Sequence, residues 1–181
     1  MILVRRATPF SREFGFDRGM PVDRRYIEDF LARNADDVRG RVIEVKDDSY
    51  THRFGGARVF RSDVLDIEQA NPRATIVDDL TSGARLPRDA FDCVILTQTL
   101  HLVFEVRAAV ETVHRILKPG GAILVTVPGI TQIPRADASS WYWSFTEAHP
   151  STSCRRSRVP NGMAAGGRTR MDRRARGGRR T

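Results

Sequence analysis

The chain has 181 residues, which is the usual length of a single domain. It is 40% hydrophobic and 29% charged, and its longest apolar runs are only as long as strands, so the composition excludes a membrane-embedded protein. The formal net charge of +8 belongs to the C-terminal end, because residues 150–181 hold ten Arg and one Asp. The charge therefore does not indicate a nucleic-acid-binding domain.

The two cysteines, Cys93 and Cys154, are too few and too far apart for a disulfide framework or a metal-binding motif. The apolar stretch at the N-terminus is too short, and lies on the wrong side of its arginines, for a secretory signal. We therefore expect a cytoplasmic protein that holds no metal.

Regular patterns begin after a lead-in segment, residues 1–21, in which Pro and Gly occur without a clear period. Apolar residues at spacings near 3.6 then predict a helix over residues 22–38, which ends before Gly40. A second amphipathic pattern predicts a helix over about residues 106–117. Short apolar and β-branched runs predict five strands, at residues 41–45, 58–62, 74–77, 91–96 and 122–127.

Strands separated by helices or loops predict a Rossmann-like α/β fold, with a mostly parallel sheet and helices on both faces. Ligands of such sheets bind beyond the carboxyl ends of the strands. Acidic residues mark these ends, because Glu44 lies in the first strand, Asp63 closes the second and Asp79 follows the third. Each acid alone is also explained by a loop or capping role. Together they predict a site for an adenosine-bearing ligand, whose hydroxyl and amino groups donate to carboxylates.

Two motifs stand out in the second half of this predicted fold. Residues 86–96 contain Leu-Pro, then Phe-Asp-Cys-Val, and residues 115–124 read RILKPGGAIL. They resemble the LP…FD.V segment and the R.LKPGG.L turn of the class I S-adenosylmethionine-dependent methyltransferases, particularly the type-11-like branch. The resemblance covers about residues 20–146 and implies S-adenosylmethionine as the cofactor. It also implies the cofactor-binding residues, which are Glu44, Lys46, Asp63, Asp79, Leu80, Thr97 and Gln98.

One position departs from the family pattern. The family places glycine directly after the first strand, where the backbone passes close to the methionine part of the cofactor. This chain has Lys46 there, and the nearest following glycines are Gly55 and Gly56. A side chain at a position of close approach weakens binding, so we expect a reduced or lost affinity for the cofactor.

Residues after the fourth and fifth strands are candidates for handling the methyl acceptor. His101 is the histidine that we nominate as a general base, although a packing role beside the adenine explains it equally well. Trp141, Tyr142 and Trp143 form an aromatic cluster where the resemblance implies an acceptor pocket. The same cluster also fits a docking patch or a helix packed on the sheet.

The C-terminal segment, residues 150–181, lacks apolar periodicity and has ten arginines and no lysine. We expect it to be disordered, so that residues 22–149 form the methyltransferase-like domain and the family's seven-stranded sheet is incomplete. The composition resembles GC-rich codons in a shifted reading frame, which predicts truncation of the fold near residues 147–151. The alternative is an arginine-rich arm that binds RNA or an acidic membrane.

The resemblance therefore implies methyl transfer from S-adenosylmethionine to a small-molecule acceptor, by in-line displacement at the sulfonium methyl group. The alternative is a non-catalytic binding protein that keeps the fold and has lost the cofactor loop. A nicotinamide-dependent oxidoreductase would need G-x-G-x-x-G after the first strand, and that motif is absent. We expect no membrane partner, and nucleic acid only through the tail.

Overall fold

The structure, a computed structural model, describes residues 19–129, Ile133, residues 139–146 and the backbone of residues 155–158. This part of the chain contains two α-helices, α1 (Val22–Arg33) and α2 (Val106–Ile116). It also contains six strands: β1 (Gly40–Val45), β2 (Val59–Asp66), β3 (Ile76–Val77), β4 (Phe91–Thr97), β5 (Leu117–Thr126) and β6 (Arg155–Arg158).

The six strands form one sheet in the order β3-β2-β1-β4-β5-β6. The first five strands are mutually parallel, and β6 is antiparallel to β5. The strand order reverses direction between β1 and β4, which is the point where doubly wound sheets bind their ligands. The predicted Rossmann-like α/β fold is therefore confirmed.

Helices cover both faces of the sheet because successive residues of a strand point to opposite sides. On one face, α1 packs through Ile27, Phe30 and Leu31. The sheet residues in that layer are Val42, Cys93, Ile95 and Leu124. On the other face, α2 packs through Ala109, Val113 and Ile116 against Ile43, Val94 and Leu96. No helix of the described residues has the length and apolar content to cross a membrane.

The first helix is shorter than the predicted span of residues 22–38. It ends at Arg33 because the Asn34 side chain donates to the carbonyl of Phe30, which stops the helical pattern. A single 3₁₀ turn at Ala35–Asp37 follows and brings Val38 into the core. The apolar period continued through this turn, so the sequence pattern alone could not show the break.

The second and fifth strands are longer than predicted. β2 continues through Asp63 to Asp66, whereas the predicted strand ended at residue 62. β5 begins at Leu117 and includes residues 118–121, which were predicted as a turn. The pairing with β4 is irregular between Phe91 and Cys93, and this bulge accommodates the extra residues on β5.

The C-terminal segment contributes to the sheet, which corrects the expectation that residues 150–181 are disordered throughout. Residues 155–158 form β6 and pair with residues 122–125 of β5. The other residues of that segment, with seven of its ten arginines, lie outside the described residues, so the shifted-frame and arginine-arm hypotheses stay predictions.

Candidate functional site

A cleft of about 540 Å³ opens at the carboxyl ends of β1, β4 and β5. Its walls come from the start of α1, the segment after β1, the segment after β4, residues 126–129 and Trp141. The segments that follow parallel strands meet at the same edge of a sheet, which is why residues distant in sequence converge here. The cleft residues that were named from the sequence are Glu44, Lys46, Thr97, Gln98, His101 and Trp141.

Lys46 lies at the mouth of this cleft in a left-handed backbone conformation, with φ of 71°. Its N–H donates to the carbonyl of Leu65 at 2.9 Å, and its carbonyl accepts from the side chain of Asn71 at 2.8 Å. The left-handed region favours glycine because a Cβ crowds the backbone there. Tertiary hydrogen bonds therefore hold this lysine in a conformation that suits glycine.

Glu44 is a buried carboxylate in the wall of the cleft. One carboxylate oxygen accepts from the N–H and the hydroxyl of Thr51, each at 2.9 Å. Burial raises the pKa of Glu44 to about 7, and the nearby charge of Asp47 adds to the increase, although the bonds from Thr51 oppose it. Glu44 thus changes its charge near neutral pH.

A second depression, of about 430 Å³, lies at the carboxyl ends of β2 and β3. Its lining residues are Ile67, Gln69, Val77, Asp78 and Arg85. Asp66, the last residue of β2, directly precedes this depression in the chain. Burial opposes ionisation of Asp66, but bonds from the N–H of Glu68 and the amide of Asn71, with the charge of Lys46, lower its pKa overall. Asp66 is therefore ionised at neutral pH.

Asp63 does not close β2, contrary to the expectation from the sequence, and it lies outside both depressions. Its carboxylate is 1% exposed and forms salt bridges with Arg41 at 2.6 Å and with Arg61 at 3.1 Å. Burial opposes ionisation, but these two guanidinium groups lower the pKa of Asp63 overall. The carboxylate that stands at the end of β2 is Asp66.

Asp79 and Leu80 also lie away from the cleft. Asp79 is exposed, and its carboxylate accepts from the N–H of Thr81 within a local turn. Leu80 is buried in the core beneath α2. Asp78, one residue earlier, lines the second depression and accepts from the N–H of Arg85 at 2.6 Å. The expected convergence of Glu44, Asp63 and Asp79 on one cleft is therefore wrong.

The segment after β4 lines the cleft with Thr97, Gln98 and His101. Gln98 has a left-handed φ of 48°, and its N–H donates to the carbonyl of Thr126 at 2.9 Å. His101 is buried, and its ring lies 4.2 Å from the ring of Trp141, centre to centre. The two rings form one wall of the cleft.

The other two residues of the aromatic cluster lie outside the cleft. Tyr142 and Trp143 are exposed and pack around Phe104, with ring centres 5.3 and 6.4 Å from it. The Trp143 indole donates to the carbonyl of Val103 at 2.9 Å. The N–H groups of Tyr142 and Trp143 both bond to the carbonyl of His101, so the cluster is fixed to the segment after β4.

Arg24 and Tyr50 also line the cleft, although neither was selected from the sequence. The Arg24 guanidinium donates to the Tyr50 hydroxyl and lies over its ring, 5.5 Å from the centre. Burial raises the pKa of Tyr50, although Arg24 opposes this. An apolar stripe that includes Ile27 revealed α1 in the sequence, but nothing in that stripe shows that the polar first turn borders a cleft. Asp66 could have been found from the apolar pair Val64-Leu65, which extends β2 beyond Asp63.

One family of known proteins matches the central part of the chain. Residues 40–125 match the family model described as a methyltransferase domain. This range contains β1 to β4, α2 and most of β5, together with Glu44, Asp66 and Asp78. No curated protein matches the chain.

Solved structures share the fold. The YcgJ protein from Bacillus subtilis is 17% identical, with a TM-score of 0.51, over 71% of this chain and 63% of that one. The (4+2)-cyclase SpnF is 19% identical, with a TM-score of 0.51, over 68% of this chain and 52% of that one. At these identities the likeness concerns the fold alone. The chain spans less than two thirds of the length of either structure.

Proposed function

We propose that this chain, whose residues 40–125 match the methyltransferase-domain family, is a class I S-adenosylmethionine-dependent methyltransferase that transfers a methyl group from S-adenosylmethionine to a small-molecule acceptor. The observation that carries the proposal is the pair of depressions at the carboxyl edge of this domain, each bordered by carboxylates. We expect the acceptor to enter the cleft and the reaction to take place in the cytoplasm.

The described residues fit an adenosine-bearing cofactor at three points. Asp66 is an ionised carboxylate at the end of β2 and can accept from ribose hydroxyls. Asp78 lines the depression beside β3 and can accept from an adenine amino group. The backbone at Lys46 has the shape of a glycine turn, which lets a ligand approach the end of β1, although the residue is a lysine.

S-adenosylmethionine, when bound, supplies a methyl group activated by the positive charge of its sulfur. The protein's contribution is then to position the acceptor and to exclude water. Arg24 and Tyr50 narrow the cleft from the side of α1, and His101 with Trp141 forms the opposite wall in our proposal. An ionised Glu44 adds a negative charge that favours a cationic ligand.

His101 is proposed as the general base that accepts a proton from the acceptor's nucleophilic atom. Its burial in the wall of the cleft and its contact with Trp141 support this role, because both hold the ring in a fixed position. The competing role, in which His101 only packs on Trp141, predicts that H101N changes thermal stability and leaves transfer rates unchanged.

A non-catalytic binding protein is the second candidate, and Lys46 is the observation that favours it. The lysine side chain stands at the point where a methyltransferase brings its backbone close to the cofactor. A methyltransferase should bind S-adenosylhomocysteine, the product of every such transfer, whereas a protein that has lost the cofactor loop should not. Affinity for this product therefore separates the two candidates.

Titration calorimetry of the full chain with S-adenosylhomocysteine tests the proposed function. We expect measurable binding, and we expect D66N to weaken it by about tenfold or more, because a charged hydrogen-bond acceptor for the ribose is lost. The matched control is D79N, an exposed aspartate outside both depressions, which should leave the affinity within about twofold. Equal affinities for D66N and D79N would contradict the ribose role of Asp66, and no binding by the parent chain would contradict the methyltransferase proposal.

A further inference from the structure

Lys46 combines two properties that are independent of each other. Its backbone is left-handed and is held so by hydrogen bonds to Leu65 and Asn71. Its side chain belongs to the lining of the cleft. The backbone property affects the stability of the fold, whereas the side chain affects what the cleft can accept.

The backbone conformation does not come from the lysine itself. A lysine has no short polar side chain that could stabilise the left-handed region locally, as Asn and Asp do. The bonds that fix it come from β2 and from the loop after β2. The loop would therefore keep its shape if the side chain were removed, and glycine would adopt that shape without strain.

The side chain places a positive charge among the groups that would hold a cofactor. Its charge acts on Asp66, the carboxylate at the end of β2, and lowers the pKa of that group. It also repels a ligand that carries a sulfonium, but not one with a neutral thioether.

We infer that Lys46 limits the affinity of this cleft for adenosine-bearing cofactors, and that it does so through its side chain and not through its strained backbone. The inference deepens the proposed function and rests on it. The side chain of Lys46 then affects binding, and its backbone conformation affects stability. The cleft disfavours S-adenosylmethionine more than S-adenosylhomocysteine, because only the former is cationic at sulfur.

Three variants of the full chain separate the two effects. K46A removes the charge and most of the bulk but keeps a Cβ in the left-handed backbone, K46G removes the strain as well, and K46Q removes only the charge. The matched control is D89G, because Asp89 has a left-handed φ of 47° and lies just before the start of β4, away from the cleft. Each chain is titrated with S-adenosylhomocysteine and with S-adenosylmethionine, and its melting temperature is measured.

We expect K46A and K46G to bind S-adenosylhomocysteine about tenfold more tightly than the parent chain. The gain in affinity for S-adenosylmethionine should be larger, because the repulsion between two positive charges is also removed. K46Q, which loses only the charge, should gain affinity for S-adenosylmethionine and not for S-adenosylhomocysteine. K46G alone among the three should melt higher, by about 2–4 °C, because it relieves the strain. D89G should melt slightly higher and bind as the parent chain does.

Equal affinities of the parent chain, K46A and K46G would overturn the inference and leave the proposed function standing. Binding by the variants but not by the parent chain would support the inference and show that Lys46 blocks the cleft. No binding by any of the chains would overturn both. A gain in K46G that K46A lacks would also overturn the inference, because the effect would then belong to the Cβ and not to the rest of the side chain.

Discussion

Glu44 stands out among the individual residues because its carboxylate is buried without a cationic partner among the residues that the structure describes. Its pKa is about 7, compared with 4.5 for an ordinary glutamate, and burial is the largest cause. The folded chain therefore binds a proton more tightly than the unfolded chain does. The contribution of Glu44 to stability is complete below about pH 4.5 and is lost as the pH rises through about 7.

The variant E44Q tests this dependence, because glutamine stays neutral and its carbonyl can still accept from Thr51. We expect E44Q and the parent chain to have similar stability at pH 5, and E44Q to be more stable at pH 8 by up to about 3 kcal/mol, the value of a pKa difference of this size. Denaturant unfolding at several pH values measures it. The control is E111Q, at an exposed position of α2, which should follow the parent chain at every pH. A parent stability that rises between pH 5 and 8 relative to E44Q would contradict this account of Glu44.

The sequence predicted which side chains after β1 and β4 would meet, but it misplaced two of the three acids. Glu44 lies one residue before the end of β1, Thr97 ends β4 and His101 follows β4, and the apolar runs made the bounds of both strands clear. Asp63 was misplaced because a charged residue inside a strand looks like the end of the strand. Only the structure shows that Arg41 neutralises it across the β1–β2 pair. The roles of all these residues in binding stay predictions.

At the scale of elements, the start of β1 depends on a glycine. Gly40 has φ of 73°, and a Cβ there would lie 2.5 and 2.7 Å from Cγ and Cβ of Asp92. Asp92 cannot move away freely, because its carboxylate accepts from the N–H of Arg41 at 2.8 Å and from Lys118 at 2.7 Å. These bonds join the starts of β1, β4 and β5.

We expect G40A to destabilise the fold by about 2–3 kcal/mol, since it adds steric overlap to an unfavourable backbone conformation. The matched control is G56A, because Gly56 has φ of 55° but a Cβ added there would have no neighbouring atom within 4 Å, so the change should cost only about 1 kcal/mol. Urea unfolding of both variants measures the difference. Equal losses would mean that Asp92 moves aside at no cost and that the bonds at the strand starts contribute little.

Element types were easier to predict from the sequence than element ends. The five parallel strands and both helices exist close to where their apolar patterns indicated. The ends depend on contacts that are distant in sequence or specific to one side chain. Asn34 ends α1 by bonding to a carbonyl one turn back, and a bulge against β4 joins residues 118–121 to β5.

At the scale of the whole molecule, the sheet is extended by a strand that composition could not predict. A segment without apolar periodicity was expected to lack structure, because it cannot offset its chain entropy by burial. Strand pairing, however, uses backbone groups that every residue except proline supplies in full. β6 pairs with residues 122–125 in this way and covers the edge of β5. An uncovered edge of that kind would be a site of aggregation.

Proline scanning of β6 tests whether this pairing stabilises the molecule. In the pairing with β5, Arg156 faces Leu124 and Ser157 faces Ile123. Adjacent residues of a strand direct their N–H groups to opposite sides, so only one of these two donates toward β5. We therefore expect R156P and S157P to differ, with one lowering the melting temperature by about 3 °C or more and the other having a smaller effect. A chain that ends at residue 149 should lose at least as much stability as the more harmful proline and should scatter more light on heating. If both proline variants and the shortened chain melt and scatter light as the parent chain does, then β5 is the edge strand of the sheet and the C-terminal segment contributes nothing to the stability of the fold.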